Sequence, residues 1–249
     1  MVRKRIIPCL LLQNESLVKT TQFKKPSYIG DAINTVRIFN ELEVDELILL
    51  DITATSSKSE PNFELLKDIA SECFMPLAYG GGINSLTQAK KIIEIGYEKI
   101  IINSAAYRNR DLVSQIANEL GNQCVIGCID VKKSFLGNYF VYSNSGSKKE
   151  KINPFQWAKE LESMGAGEIM ITSITQEGTW NGFDMELIEK ITKQVNVPVI
   201  AHGGAGSSKN IEEVFCLNVN AAAVGSMVVY QKKGMGVLVN IKNIINENE

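Results

Sequence analysis

Histidine and cysteine are scarce in this sequence. Its 249 residues include one histidine and five cysteines, an odd number, and no C-x-x-C pair occurs. A metal site usually needs three or four such ligands close together. We therefore expect no bound metal and no cofactor, and we interpret the cysteines as free thiols, mostly buried, in a reducing compartment.

Long apolar runs and an excess of one charge are also absent. The chain has 26 basic and 28 acidic residues, a formal net charge of −2 and no basic block. Nothing therefore predicts binding to nucleic acid or to a membrane surface. No apolar run approaches the roughly 20 residues of a membrane-spanning helix. Residues 1–5 carry no signal-peptide pattern, so we expect a cytoplasmic protein.

What the sequence does have is an alternation of short apolar runs with amphipathic helical patterns. Continuous apolar runs are typical of parallel strands covered on both faces. The predicted strands span residues 5–11, 46–51, 75–79, 99–103, 124–129, 168–173, 197–201 and 221–225. A last helix is predicted over 237–245. The pattern predicts an α/β fold, a (β/α)8 TIM barrel forming one domain over residues 1–249.

The two halves of the chain resemble each other. The segment 76–82 is similar to 198–204, an offset of 122 residues, and the pairs Asn103-Ser104 and Gly225-Ser226 recur at the same offset. The repeat favours a barrel built from two half-barrels over the alternative, a doubly wound open sheet. Two long connections, 12–30 and 131–152, follow the first and fifth strands, and both are predicted to be loops that could act as lids.

Glycine-rich turns follow the third and seventh strands, at 80–82 and 203–206. Glycine lets backbone N–H groups approach a ligand closely, and a following helix favours an anion. Asn103-Ser104 and Gly225-Ser226 add hydrogen-bond donors beside each turn. Together they predict a ligand with two phosphates, or another anion, across the barrel mouth. The alternative is that the glycines only form tight turns.

A carboxylate ends the fifth predicted strand but not the first. Asp130 closes the run beginning at Cys124, whereas the matching position of the first run is Leu11. At the mouth, Asp130 could act as a general acid or base, or merely cap a helix or fix a loop. Lys19 could meet a phosphate or Asp130, or be solvated. For His202 we favour a structural or ligand-contact role over catalysis.

Four charged residues of alternating sign lie near strand starts: Arg5, Glu46, Lys99 and Glu168. In a barrel they converge around the axis at the N-terminal face and form a ring of ion pairs. On position alone, the ring is interpreted as a plug that stabilises the barrel.

Several motifs together resemble the cyclase subunit of imidazole glycerol phosphate synthase over nearly the whole chain. They are Lys4-Arg5-Ile6-Ile7, Asp51-Ile52-Thr53, Gly80-Gly81-Gly82-Ile83, Ile129-Asp130, Gly165-Ala166-Gly167-Glu168, Thr172-Ser173-Ile174, Gly178-Thr179 and Gly203-Gly204-Ala205-Gly206. The resemblance implies a glutaminase partner on the N-terminal face. It also implies ammonia passage through the barrel to a phosphorylated substrate at the mouth.

The resemblance also implies roles for individual residues. The phosphate-binding positions match Gly82, Asn103, Ser104, Gly178, Gly204, Gly225 and Ser226, with Lys19 as the first-loop lysine. The ammonia gate matches Arg5, Glu46, Lys99 and Glu168. Of the two catalytic aspartates of that family, Asp130 is present and the other is Leu11. Further departures are Thr175, Glu177 and His202, which replaces a usual serine.

Loss of one acid leaves three functional hypotheses. The pattern is similar to a branch of the family associated with sugar amidation, in which the barrel conducts ammonia from a glutaminase to a separate sugar amidotransferase. The second hypothesis is a true cyclase of histidine biosynthesis, and the third is a related barrel sugar isomerase. A leucine cannot transfer a proton, so both enzyme hypotheses need a substitute for the missing acid.

Overall fold

A closed parallel barrel forms the centre of the protein, whose structure, a computed structural model, describes residues 4–241. The strands are β1 (Arg5–Gln13), β2 (Ser16–Thr21), β3 (Lys24–Asp31), β4 (Leu47–Asp51), β5 (Leu77–Gly80), β6 (Lys99–Ile102), β7 (Val125–Lys133), β8 (Tyr139–Ser143), β9 (Lys148–Lys149), β10 (Glu168–Ser173), β11 (Val199–His202) and β12 (Ala221–Val224). β1 pairs in parallel with β12 and β4, and β7 pairs in parallel with β6 and β10, which closes the circle. The predicted (β/α)8 barrel is confirmed.

The longer helices cover the outside of the barrel. The helices are α1 (Ala32–Glu41), α2 (Ala54–Ser57), α3 (Phe63–Ser71), α4 (Leu86–Ile95), α5 (Ser104–Arg108), α6 (Asp111–Leu120), α7 (Pro154–Ser163), α8 (Met185–Thr192), α9 (Ser208–Phe215) and α10 (Ser226–Val229). The short helices α2, α5 and α10 lie at the barrel mouth. Side chains cap the longer helices: Ser85 accepts the Gln88 N–H at the start of α4, and Asn153 accepts the Phe155 N–H at the start of α7. Each cap satisfies an N–H that the helix itself leaves unpaired.

The two long connections are not loops, and that prediction is wrong. β2 and β3 form an antiparallel hairpin on β1, and β8 extends antiparallel from β7. In the first connection the β-branched residues Val18 and Thr20 fall on one face of β2 and Lys19 falls on the other, a period of two that is typical of a strand. The predicted last helix is not formed over 237–241, where Val237 makes a single antiparallel bridge with Tyr230. The remainder of that prediction, 242–245, lies outside the described residues.

The core has two layers. Side chains that face outward from the strands, such as Leu10 and Leu49, pack against side chains of the helices and their connections, among which Phe39, Trp157 and Tyr97 are the largest. Side chains that face inward fill the barrel axis, and these are Ile7, Cys9, Ile48, Ala78, Ile101, Ile126, Cys128, Met170, Ile200, Ala221 and Ala223. The axis is therefore apolar between its two ends. Within residues 4–241, no helix is both long and apolar enough to cross a membrane.

Candidate active site at the barrel mouth

A cavity of about 270 Å³ opens at the carboxyl ends of the barrel strands. Apolar side chains form most of its wall. Polar side chains from the ends of several strands and the segments after them also line it, among them Asp51, Asn103, Asp130, Thr172, Glu177 and His202. Convergent polar groups in an apolar pocket are typical of a small-molecule site, and barrel enzymes carry their chemistry at this end.

Asp130 lies inside this cavity, buried to 7% exposure. The Asn103 side-chain amide donates to Asp130 Oδ2 at 2.8 Å, and the Cys128 thiol lies 3.8 Å from Oδ1. Burial raises the pKa of Asp130 from 3.8 to about 7, although contacts with Asn103, Cys128 and Thr172 oppose the shift. A carboxyl group that titrates near neutrality can both accept and donate protons at physiological pH.

The raised pKa of Asp130 predicts a pH-dependent loss of stability. A carboxyl whose pKa is higher in the folded state stabilises the fold when protonated, below pH 4, and this stabilisation is lost as the pH rises through about 7. We expect the stability of the unaltered protein, relative to Asp130→Asn, to fall by up to about 4 kcal/mol between pH 4 and pH 8. Urea unfolding at several pH values measures it, and a constant difference would contradict the assignment.

Leu11 faces the same cavity from the opposite side of the barrel. β1 and β7 are four strands apart in the sheet order, and both Leu11 and Asp130 line the cavity wall. The Leu11 side chain is 5% exposed and lies in register with Leu50 on β4. The position that mirrors Asp130 therefore contributes apolar surface and no proton-transfer group.

The other strand-end acid, Asp51, has a local structural role. Its Oδ1 accepts from the Thr53 N–H at 2.8 Å, the Thr53 hydroxyl at 2.8 Å and the Ala54 N–H at 2.9 Å. These bonds secure the start of α2. Asp51 thus shows the helix-capping role that a strand-end acid can have.

Three of the predicted phosphate-binding residues, Gly82, Asn103 and Ser104, lie at the ends of β5 and β6 and line the cavity. Two of them are engaged within the protein. Asn103 donates to Asp130, and the Ser104 hydroxyl accepts the Asn144 N–H at 2.9 Å from the turn after β8. The second hairpin, formed by β7 and β8, therefore covers this half of the mouth.

The remaining predicted phosphate-binding residues line a small adjoining hollow at the ends of β11 and β12. They are Lys19, Gly178, Gly204, Gly225 and Ser226. Lys19 reaches this hollow from β2, and its Nζ donates to the Cys9 carbonyl at 3.2 Å. A Cβ on Gly225 would lie 2.2 Å from that Nζ, so only glycine admits the lysine here.

Lys19 is buried to 4% exposure. Among residues 4–241, no carboxylate lies within ion-pair distance of its Nζ. A buried ammonium group without a counter-ion is costly, and a bound anion removes that cost. Lys19 therefore supplies a positive charge with which an anion could pair, but the buried carboxylate of Glu177 also lines the hollow.

His202 lies between the cavity and the hollow and lines both. Its Nδ1 is 3.1 Å from the Thr172 hydroxyl. Burial, together with the positive charge of Lys19, lowers the pKa of His202 to about 3, so the ring is neutral at physiological pH. Of these two residues, sequence reasoning placed only His202 near a ligand. Thr172 could have been found from strand register, because it pairs with both Asp130 and His202.

Glu177, which replaces a usual acid of the resembled family, holds the first hairpin over the mouth. Its carboxylate accepts from the Thr20 hydroxyl at 3.0 Å and from the Phe23 N–H at 3.1 Å. Its carbonyl accepts the Gln22 N–H at 2.9 Å. Glu177 therefore fixes the segment that carries Lys19.

The four charged residues at the opposite end form a closed ring. Arg5 lies 2.5 Å from Glu46 and 2.7 Å from Glu168, and Lys99 lies 2.9 Å from Glu46 and 2.8 Å from Glu168. Each acid thus bridges both bases. Burial would raise the pKa of Glu168, but the hydrogen bonds and charges of Arg5 and Lys99 outweigh it and lower that pKa. The ring covers the apolar barrel axis at its N-terminal end.

No group of three or more potential metal-ligating side chains occurs in the described part of the chain. The mouth therefore consists of one buried titrating acid, a neutral histidine, a buried lysine and a largely apolar wall.

Comparison with known proteins identifies the family. Residues 5–234 match the family described as Histidine biosynthesis protein. A protein of Pseudomonas aeruginosa, provisionally named imidazole glycerol phosphate synthase subunit hisF2, is 49% identical over 247 residues, 98% of each chain. The imidazole glycerol phosphate synthase subunit HisF of Hydrogenobaculum is 39% identical, covering 94% of this chain and 92% of its own. A provisionally named hisF2 subunit of Campylobacter jejuni is 42% identical, covering 92% and 90%. The chain therefore belongs to the histidine biosynthesis protein family and, within it, to the HisF-type cyclase subunits of imidazole glycerol phosphate synthase.

Proposed function

We propose that this chain is a cyclase-like subunit that conducts ammonia rather than closing an imidazole ring. A glutaminase subunit would dock on the N-terminal face and release ammonia at the charged ring. A separate sugar amidotransferase would use the ammonia to amidate an N-acetyl sugar of a surface polysaccharide.

The observation that carries the proposal is Leu11. Ring closure in the resembled family uses two acids on opposite sides of the mouth, and here one side presents a buried leucine. Loss of a positioned acid or base lowers a reaction rate by roughly 10²–10⁴. The other two acids that line the cavity within residues 4–241 are already engaged, since Asp51 accepts from the start of α2 and Glu177 holds the first hairpin.

The interior of the barrel supports the conduit role. Between the ring and the mouth the axis is lined by apolar side chains such as Ile7, Ile48 and Met170. An uncharged ammonia molecule crosses such a region at little cost, whereas an ammonium ion would have to give up its hydration. The arrangement therefore favours passage of the neutral form.

True cyclase activity is the second candidate, and a specific observation favours it. Asp130 titrates near neutrality in a cavity with room for a ligand, and a buried lysine in the adjoining hollow favours an anion. In that case a group other than residue 11 supplies the second proton-transfer function.

Turnover with free ammonium separates the two candidates. The purified protein is given the family's bisphosphate substrate, the formimino-carboxamide ribonucleotide, with excess ammonium, and imidazole glycerol phosphate is followed. We expect the substrate to bind without turnover. Turnover at the rate of an ordinary cyclase, measured alongside, would overturn the conduit proposal.

Deletion of the gene tests the destination of the ammonia. We expect the cell to grow without added histidine while its surface polysaccharide loses acetamidino groups, as measured by mass spectrometry. Histidine auxotrophy with an unchanged polysaccharide would instead assign the chain to ring closure.

A further inference from the structure

The second hairpin ends in two apolar side chains that the fold does not bury. Phe135 is fully exposed and Leu136 is 84% exposed, which makes them two of the three most exposed large apolar side chains among residues 4–241. Single exposed apolar residues are common on protein surfaces, but two adjacent ones at the end of a hairpin form a compact apolar patch. Phe135 and Leu136 are called the hairpin tip below.

The conformation of the turn does not explain these two residues. The Ser134 N–H donates to the Asn138 carbonyl at 2.8 Å, and the Gly137 N–H donates to the Ser134 carbonyl at 3.0 Å. Gly137 supplies the positive φ of 83° that completes the turn. Phe135 and Leu136 therefore hold its two central positions, which Pro, Asn, Asp, Ser and Gly usually occupy. Neither turn geometry nor burial in the core accounts for apolar side chains there.

The hairpin is fixed to the body of the barrel. The Tyr139 hydroxyl donates to Asp184 Oδ1 at 2.9 Å, and the Tyr139 ring lies edge-on to the Phe155 ring at 6.1 Å. Lys133 forms an ion pair with Glu186 at 2.7 Å. These contacts with the starts of α7 and α8 restrict the hairpin, so that binding through its tip loses little conformational entropy.

The segment that forms the hairpin and the strand after it is basic. Residues 131–152 contain five lysines and a single acid, Glu150, whereas the whole chain has a net charge of −2. The lysines are Lys132, Lys133, Lys148, Lys149 and Lys151. The Glu150 carboxylate is already paired with Lys148 at 3.0 Å. The segment therefore presents positive charge, which complements an acidic surface on a partner.

The same segment covers the cavity from which ammonia would emerge. β7 carries Asp130 in the cavity wall and continues outward to the tip. The turn after β8 lies over the mouth, where the Ser145 hydroxyl donates to the Ile52 carbonyl at 2.8 Å and Ser145 lines the cavity. A protein that binds the tip therefore lies beside the mouth.

We propose that the hairpin tip and the lysines of 131–152 form a docking surface for the enzyme that consumes the ammonia, a protein with an apolar pocket inside an acidic rim. The inference rests on the proposed conduit function and identifies the face through which the ammonia is handed on. Ammonia released into water at neutral pH takes up a proton, and the ammonium ion is not a nucleophile. An enzyme held against the mouth receives the ammonia before this happens. Aromatic side chains are enriched at the buried centres of such interfaces.

Direct binding tests the surface. The probe is the purified sugar amidotransferase of the same organism, titrated onto the complex of this chain with its glutaminase. We expect Phe135→Ser to weaken binding at least about 30-fold, the size of a hot-spot loss. The melting temperature should not change, because the side chain is exposed. Lys132→Glu should mainly slow association and reduce its dependence on salt.

Phe74→Ser is the matched control. Phe74 is 87% exposed and lies between α3 and β5, at the opposite end of the barrel from the mouth. Phe74→Ser removes the same side chain from an exposed position and should leave amidotransferase binding unchanged. Equal losses of affinity in the two serine variants, or no loss in either, would overturn the docking surface.

A membrane is the other partner that an apolar tip with lysines can bind. The complex is therefore also mixed with vesicles of anionic phospholipid and sedimented. We expect the same small bound fraction for the unaltered complex and for Phe135→Ser. Release of the complex from vesicles by Phe135→Ser, with unchanged affinity for the amidotransferase, would show that the tip is a membrane anchor and would overturn the proposal.

Amidation of the sugar separates this inference from the conduit function. We expect Phe135→Ser to lose amidation with glutamine as the source of ammonia and to retain it with free ammonium. If Phe135→Ser supports the glutamine-dependent reaction as well as the unaltered complex does, the docking surface is wrong and the conduit remains. If the unaltered complex neither binds the amidotransferase nor supplies it with ammonia, the conduit function fails, and the docking surface fails with it.

Discussion

Leu11→Asp is expected to gain ring-closing activity. With the bisphosphate substrate and excess ammonium, we expect imidazole glycerol phosphate to form about 10²-fold or more faster than in the unaltered protein, the usual contribution of a positioned acid or base. The reason is geometric. Residue 11 lies near the end of β1, four strands from Asp130 on β7, and the two side chains line the same cavity.

Leu11→Asn is the matched control. It has the size of the aspartate variant and also puts a polar group in place of a buried leucine, but it cannot transfer a proton. Any change in rate that comes from cavity shape or stability therefore appears in both variants. Equal rates for the aspartate and asparagine variants would show that the missing acid is not what prevents ring closure.

The substrate arm of this experiment also reports on the hairpins. Ser104 already accepts the Asn144 N–H, and Glu177 holds the hairpin that carries Lys19. If the bisphosphate binds neither the unaltered protein nor Leu11→Asp, the barrier is access to the two anion positions. If the bisphosphate binds weakly but Leu11→Asp turns it over, residue 11 is what prevents ring closure in the unaltered protein.

The barrel was predictable from sequence because its signals are local and repeated. Apolar runs such as 168–173 predicted strand limits that the structure reproduces, and local capping residues such as Ser85 and Asn153 begin the helices between them. The hairpins were missed because both connections contain the turn residues of loops, whereas their strand character depends on pairing with β1 and β7. The pairings themselves are local, Gln13 with Ser16 and Lys133 with Tyr139, but a strand depends on cross-strand contacts more than on the preference of its own residues.

The site was predictable in part for the same reason. Strand-end position placed Asp130 and His202 at the mouth, and Lys19 was placed there because it lies in the connection after the first strand. The hydrogen bond between Thr172 and His202, and the engagement of Asn103 by Asp130, depend on rotamers and on register between distant strands. Sequence could identify the residues of the charged ring, but only the structure shows that each acid bridges both bases.

Glu46→Gln in the charged ring is expected to cause the largest loss of stability. The Glu46 side chain is 4% exposed and is bonded by both Arg5 and Lys99. Removing its charge leaves two largely buried cations sharing Glu168, and breaking a buried ion pair in this way costs about 3 kcal/mol. Urea unfolding measures the change directly, and the melting temperature should fall by roughly 6–12 °C for a chain of this size.

Glu72→Gln is the matched control, because it removes the same charge from an exposed ion pair with Arg37. The side chains of Glu72 and Arg37 are 38% and 50% exposed. An exposed pair contributes at most about 1 kcal/mol, so this variant should unfold within that margin of the unaltered protein. Equal losses in the two variants would show that the ring is as well solvated as the surface.

Glu46→Gln also shows whether the charged ring is a plug or a gate. If the ring is only a plug that stabilises the barrel, Glu46→Gln lowers the stability. The reaction rates with glutamine and with free ammonium as the source of ammonia then change by the same factor. A gate predicts that ammonia from the glutaminase is lost to solvent, so that only the glutamine-dependent reaction falls. Measuring both reactions in the complete complex, at a temperature where the variant is folded, separates passage of ammonia from stability of the barrel.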